Sequence, residues 1–285
     1  MKPNDPNKKA QQKVAVVTGA GGTLCSVMAK DLARQGMRVA LLGRTRSSLD
    51  ALREEIEAAG GDALTISVDV TDSGAVRDAG DQVREILGPC DVLLNGAGGK
   101  LAGTVTSRTE FDPAELLPDT GQIGFFNADL NLFRDEVDLN LCGTAIPTQV
   151  FGKHMAERSG GVVLNFASMT SYRPLSKTAP YSAAKAAIVN YTQWLAVYLA
   201  PAHIRVNAIA PGFFINERSR KLLYQEDGRL SARGEQVLRH TPAGRFGEAE
   251  ELLGAMNWLI DDRLSSFVTG ITVPVDGGFL ACAGC

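Results

Sequence analysis

The stretch Val14-Ala15-Val16-Val17-Thr18-Gly19-Ala20-Gly21-Gly22-Thr23-Leu24-Cys25 carries a short apolar strand straight into a glycine-rich turn and the start of a helix. Glycines let the backbone approach a pyrophosphate closely, and the first amides of the helix, at the positive end of its dipole, stabilise the phosphate charge. A glycine turn alone is a weak signal. Its weight here comes from its place after the first strand of a repeated strand and helix pattern.

Outward from that turn, runs rich in Val, Ile and Leu alternate with longer stretches of helical periodicity, the pattern of βαβ units stacked around a parallel sheet. Strands are expected at 14–17, 39–42, 63–68, 92–94, 162–166, 204–209 and 271–275. Between them Leu49, Leu52, Ile56 and Ala59 recur on one helical face, and Val76, Ala79, Val83 and Ile86 on another. Ala184, Ile188, Tyr191, Leu195 and Tyr198 mark a long helix that ends before Pro201. These stripes are read as core, and Ser47 with Asp50 has the spacing of a capping box. Two stretches, 100–128 and 212–247, are too long for ordinary connections and point to function, the first as an insertion able to act as a lid, the second as a substrate loop.

With 285 residues, 45% hydrophobic and 21% charged, the chain has ample material for one core, so a single domain is expected over 13–285 behind a loose arm at 1–12. A net charge of -3 with scattered Lys and Arg offers no basic surface to nucleic acid or anionic lipid and favours a small-molecule partner. No apolar run is long enough for a membrane span, and the polar start is unlike a signal peptide, so the cytoplasm is the expected compartment. The five cysteines, Cys25, Cys90, Cys142, Cys282 and Cys285, are read as reduced thiols. Cys282 and Cys285 have the gap of a metal pair, but no second pair or histidine completes a zinc site, and no metal is expected.

The turn at 18–25 resembles that of the short-chain dehydrogenase/reductase family, Thr-Gly-x-x-x-Gly-x-Gly, and the likeness extends over nearly everything from Lys13 to Phe279. Thr18 and Gly19 match. Thr23 and Cys25 stand where the family has glycine, so the turn must house two side chains, with Gly21 and Gly22 supplying flexibility. The resemblance implies an α/β fold, a single-domain Rossmann-type doubly wound parallel sheet with helices on both faces. It also implies a dinucleotide held by Thr18, Gly19, Gly21, Gly22, Thr23 and Leu24, with Asp69 and Val70 at the adenine, and Asn95, Ala97 and Gly98 shaping the crevice. Pro211, Gly212 and Phe214 would lie beside the nicotinamide. At the end of the second strand an acid binds the ribose of NAD, whereas an arginine accommodates the phosphate of NADP. Gly43 and Arg44 stand there, which tips the balance to NADP, with NAD as the other choice.

Tyr181 and Lys185 in Tyr181-Ser182-Ala183-Ala184-Lys185 lie one helical turn apart on one face, so the lysine charge can reach the phenol. Ser168, in Asn165-Phe166-Ala167-Ser168, stands at the family's spacing for its catalytic serine, and Asn140 matches the family's relay asparagine. The implied roles are proton exchange with the substrate oxygen by Tyr181, a hydrogen bond to that oxygen from Ser168, ribose binding and lowering of the tyrosine pKa by Lys185, and a relay water held by Asn140. A dinucleotide-sensing protein would lack part of this set, and a sugar-nucleotide epimerase would need more chain after Ile209. A ketoacyl reductase would need a basic surface for its carrier.

Closer resemblance is to the D-mannonate oxidoreductases of the short-chain type, or fructuronate reductases, through Gly21 to Ser26, Ser168 to Lys177, Asn190 to Val197, Ala210 to Phe214 and His240 to Gly247. It implies interconversion of D-mannonate and D-fructuronate, with a gluconate 5-dehydrogenase type as the alternative. A buried carboxylate needs a cation. Arg173 is nominated first and Lys177 second, beside Ser168 and Tyr181 themselves, with Asn216, Arg218 and Arg245 as weaker substrate candidates. Relatives are commonly homotetramers that bury the helices around Asn140 and Tyr181.

Overall fold

Successive residues of each strand feed two different apolar layers, because side chains alternate across a sheet. Ala15, Val17, Leu41, Leu94 and Leu164 pack on one face, and Val14, Val16, Ala40, Leu42, Leu93 and Val163 on the other. The computed structural model describes residues 12–158 and 160–282, with all side chains there except those of Glu217 and Arg218. The arm expected at 1–12 and the partner thiol Cys285 therefore lie outside the described residues, Gln12 apart.

Seven strands form one parallel sheet in the order β3-β2-β1-β4-β5-β6-β7. They are β1 Val14–Thr18, β2 Arg38–Gly43, β3 Asp62–Ser67, β4 Val92–Asn95, β5 Gly161–Phe166, β6 Ile204–Pro211 and β7 Thr272–Val275. Each expected strand is present with its ends moved by a residue or two. The helices are α1 Thr23–Arg34, α2 Arg46–Ala58, α3 Ser73–Ile86, α4 Leu130–Val137, α5 Gly143–Glu157, α6 Ala179–Tyr198, α7 Glu217–Leu223, α8 Ala232–Arg239, α9 Leu253–Ile260 and α10 Asp262–Ser265. A wider π turn, Asp138–Cys142, joins α4 to α5. Helices α1, α2 and α9 cover one face, and α3, α5 and α6 the other. No described helix is long and apolar enough to cross a membrane.

The chain steps outward from β1 to β3 and then returns to the far side of β1, so strand order reverses between β1 and β4. A doubly wound sheet opens a crevice at such a point, at the carboxyl ends of its strands. The glycine turn after β1 and Gly96 to Gly99 after β4 flank that crevice.

Three local expectations are corrected. Ser47 and Asp50 form no capping box: α2 starts earlier, with Thr45 as its N-cap, and the Asp50 carboxylate is taken by Arg46 Nε at 2.9 Å and Thr65 Oγ1 at 2.9 Å. The stretch 212–247 is no open loop, since it folds into α7 and α8 around Leu223, Val237 and Phe246. The α6 stripe is core only through Leu195; Tyr198 is 66% exposed.

Candidate active site

The turn after β1 is fastened to the turn after β4 by one hydroxyl, since Thr18 Oγ1 accepts from the amides of Gly96 and Ala97, both at 3.1 Å. Gly19 follows at φ +66°, and a Cβ there would come within 2.8 Å of Ala97 Cα, so both conformation and space require glycine. Helix α1 then begins behind Gly22 with no side-chain cap and no acid in its first turn, which leaves its leading amides to an anion. These features fit the pyrophosphate of a dinucleotide.

The two departures from the family's glycine pattern are accommodated differently from the expectation. Gly21 and Gly22 are absent from the positive-φ positions. Thr23 points outward to solvent, whereas Cys25 is 4% exposed and fills the space over Gly96, where an added Cβ would collide with its Sγ. The missing Cβ has moved from the turn to the neighbouring strand end. Burial pushes the Cys25 thiol up to about 12, against the opposing charge of Lys185, so it stays protonated.

After β3, where adenine is expected, Asp69 Oδ1 accepts from the Thr71 amide at 2.9 Å and its hydroxyl at 2.7 Å, bonds that hold the carboxyl below its ordinary range. Val70 is buried against Gly143. Asn95 departs from its expected place: its Nδ2 donates inward to Thr148 Oγ1 at 2.8 Å and Asn165 Oδ1 at 2.9 Å, so it stiffens the floor and does not face the crevice. Arg44 is exposed at the end of β2, and its charge helps keep Asp69 ionised. On the nicotinamide side, Gly212 passes so close to Asp276 Cα that a Cβ would lie 2.6 Å away, and the Phe214 ring is buried over Gly247.

The four expected catalytic residues converge from three elements. Lys185, 3% exposed, donates from Nζ to the Phe166 carbonyl at 2.7 Å and sits 5.8 Å from the centre of the Tyr181 ring. Ser168 follows β5 in extended backbone and is held there by Ser171, whose hydroxyl bridges from the Ser168 amide to the Lys185 carbonyl. Gly98 makes room for the cluster: a Cβ there would meet Asn140 Oδ1 at 2.7 Å and Lys185 Nζ at 3.4 Å. Asn140 spends its amide on the chain, accepting from Gly99 N at 3.0 Å and donating to Gly99 O and Glu136 O, each at 2.8 Å.

Two electrostatic findings refine the expected roles. Burial raises the Tyr181 phenol; the Ser168 hydroxyl pulls it back and the Glu136 carboxylate pushes it further up. Lys185 itself is lowered to about 8, again by burial. The site thus holds a neutral phenol beside an amine that titrates near neutrality.

Beyond Ser168 and Tyr181, the expected substrate residues make contacts within the protein. Arg173 donates to the carbonyl of Cys282, tying the segment after β7 to the loop after β5. Lys177, at φ +144°, donates to Ser107 O at 2.7 Å and so fastens the 100–128 excursion. Asn216 caps α7 by accepting from Ser219 N at 2.8 Å, and Arg245 makes a fork with Glu251 at 2.6 and 2.7 Å. The side chain of Arg218 is outside the described residues. A groove of about 460 Å³ runs between the excursion, through Phe111, Phe125 and Phe126, and Pro174 to Lys177. Two groups were missed from sequence. Lys100 places its Nζ 5.4 Å from the centre of the Tyr181 ring, and fully buried Glu136 accepts from Leu101 N at 2.6 Å and from the Thr104 hydroxyl.

The short chain dehydrogenase family profile matches residues 13–226, three quarters of the sequence. The protein belongs to the short-chain dehydrogenase family. An uncharacterised oxidoreductase of Bacillus subtilis is 43% identical over 95% of this chain and 96% of its own length. A candidate D-mannonate oxidoreductase from Haemophilus influenzae, solved with bound NAD, superposes with a TM-score of 0.90 at 40% identity, covering 98% of this chain and 100% of that one. A gluconate 5-dehydrogenase from Burkholderia cenocepacia, solved with NADP and tartrate, superposes with a TM-score of 0.78 at 27% identity, covering 94% and 95%. This short-chain dehydrogenase is accordingly an NAD(P)-dependent oxidoreductase.

Proposed function

We propose that this dehydrogenase interconverts D-mannonate and D-fructuronate, with NADP as its preferred cofactor. The observation that carries the substrate is the 40% identity and TM-score of 0.90 to the candidate D-mannonate oxidoreductase, well above the likeness to the gluconate enzyme. Arg44 at the end of β2, where an acid would bind a ribose hydroxyl, supports NADP. Bound in the crevice, the dinucleotide supplies or accepts the hydride. Tyr181 gives the proton to the substrate oxygen, Ser168 hydrogen-bonds that oxygen, Lys185 holds the ribose, and Asn140 positions the Gly98–Gly99 turn on which the cluster closes. The excursion 100–128 and the loop at 174–179 border the groove through which a substrate would pass, so the lid reading stands as part of the proposal.

The second reading, a gluconate 5-dehydrogenase type, rests on the neighbour holding NADP and tartrate. Purified protein assayed with fructuronate, 5-ketogluconate and a neutral ketose, each with NADPH and NADH, separates them. The proposal expects the highest kcat/KM on fructuronate with NADPH. A higher value on 5-ketogluconate transfers the function to the second reading.

A further inference from the structure

Glu136 is a fully buried carboxylate on α4 that the hydride and proton steps above do not use. Its Oε2 accepts from the Leu101 amide at 2.6 Å and from the Thr104 hydroxyl, while its Oε1 is buried with no hydrogen-bond donor among the described residues. A carboxylate held out of water in this way is costly and calls for a role. Asn140, one helical turn further on, donates to Glu136 O and clamps Gly99 through both its amide nitrogen and its oxygen. The two side chains therefore hold the turn after β4 from one side. Lys185 and Tyr181 meet the same turn: a Cβ at Gly98 would lie 3.4 Å from Lys185 Nζ, and Lys100 Nζ is 5.4 Å from the centre of the Tyr181 ring. Helix α4 also packs directly on α6, which carries Tyr181.

We propose that Glu136 is a second positioning residue of this site, fixing the turn after β4 beside Tyr181 and setting a buried negative charge against formation of the tyrosinate. The inference rests on the proton role given to Tyr181 above and not on which sugar acid is turned over. The groups facing the phenol are the Ser168 hydroxyl after β5, Lys185 on the same helix, Lys100 in the turn after β4 and Glu136 on α4. Cys25, on α1, adjoins Lys185 as a protonated thiol. Of these groups Glu136 alone is an anion. Like charges repel strongly where water is excluded, so a phenol near a carboxylate keeps its proton to higher pH. Burial raises the Tyr181 phenol first, and Glu136 adds to that rise. Ketone reduction needs the proton on Tyr181, whereas alcohol oxidation needs a tyrosinate to receive it. The charge of Glu136 therefore extends reduction to higher pH and holds oxidation back until higher pH.

The test follows kcat/KM against pH in both directions, with saturating cofactor, for wild type, Glu136→Gln, Glu136→Met and Glu136→Asp on the sugar-acid pair that wild type prefers. Gln can still accept from Leu101 and Thr104 but carries no charge; Met does neither. In both, the limb on which oxidation rises is expected to move down by on the order of one pH unit, whatever the height of the plateau, and reduction should fall off at correspondingly lower pH. Glu136→Asp keeps the charge on a shorter stem and should leave both limbs near their wild-type positions. Thermal unfolding of each variant identifies any that does not fold, and Glu136→Met stands in for Glu136→Gln in that case. Limbs that stay in place in the neutral variants, or that move equally in Glu136→Asp, overturn the role of Glu136 and leave that of Tyr181 intact. Near-normal turnover in Tyr181→Phe, or none by wild type, overturns the proton role of Tyr181 and this inference with it.

Discussion

At the scale of single residues, the site is built from side chains kept out of their preferred environments. Lys185 is buried against a backbone carbonyl and lowered from 10.5 to about 8. Between those two values the unfolded protein keeps the proton and the folded protein sheds it, so this group's contribution to stability rises with pH and is least favourable below about 8. Lys185→Met should therefore gain stability relative to wild type by on the order of 3 kcal/mol more at pH 7 than at pH 10.5. Urea unfolding at both pH values checks this; a difference independent of pH contradicts the burial argument. The Cys25 and Gly96 pair gives a second prediction. Gly96→Ala alone should cost about 1–3 kcal/mol by overpacking, and adding Cys25→Gly should recover most of it. Strictly additive losses in thermal unfolding would show that the two positions do not share that space. Ser168, Tyr181 and Lys185 were legible because strand end and helix spacing bring them together locally. Lys100 and Glu136 were not, because they come from the turn after β4 and from α4, which only the folded chain brings together. Arg173 and Asn216 stood at suggestive places in the sequence, yet nothing in their spacing tells that one turns to Cys282 and the other caps α7.

At the scale of elements, strands were the most readable, since runs such as Val39 to Leu42 are apolar on both faces and have no other use than a covered sheet. Helix starts were less so. Ser47 and Asp50 matched a capping box by spacing, but Arg46 and Thr65 compete for the carboxylate, and Thr65 comes from β3, a contact no local pattern reveals. The 212–247 stretch hid α7 and α8 because each has seven or eight residues and buries few side chains. The proposed preference for NADP rests on the junction of β2 and α2, where Arg44 precedes the uncapped helix start at Thr45. Arg44→Ala is expected to raise KM for NADPH about tenfold and to change KM for NADH far less. Equal increases would mean that Arg44 does not read the extra phosphate.

At the scale of the whole molecule, α6 turns one end into the catalytic cluster and the other to the outside. Toward its far end it carries Tyr191, Trp194 and Tyr198 as a stack, with ring centres 6.1 and 4.8 Å apart, and Val197 is 78% exposed. A ladder of that kind on a helix supports the expected burial against further copies of the protein. Val197→Glu should shift light scattering toward a smaller assembly, and a wild type that is already monomeric at micromolar concentration would remove that expectation. Should further copies pack on the far half of α6, losing that contact is expected also to lower turnover by loosening Tyr181. We propose that this protein reduces a sugar-acid ketone with Tyr181 as its proton donor. The most direct test of this follows the absorbance of reduced nicotinamide with fructuronate for wild type and Tyr181→Phe side by side, cofactor affinity being measured for both. Steady turnover by wild type, with a loss of about two orders of magnitude or more in Tyr181→Phe at unchanged cofactor affinity, is the result expected. Near-normal turnover in Tyr181→Phe, or none by wild type on fructuronate, mannonate and 5-ketogluconate with either cofactor, would contradict it.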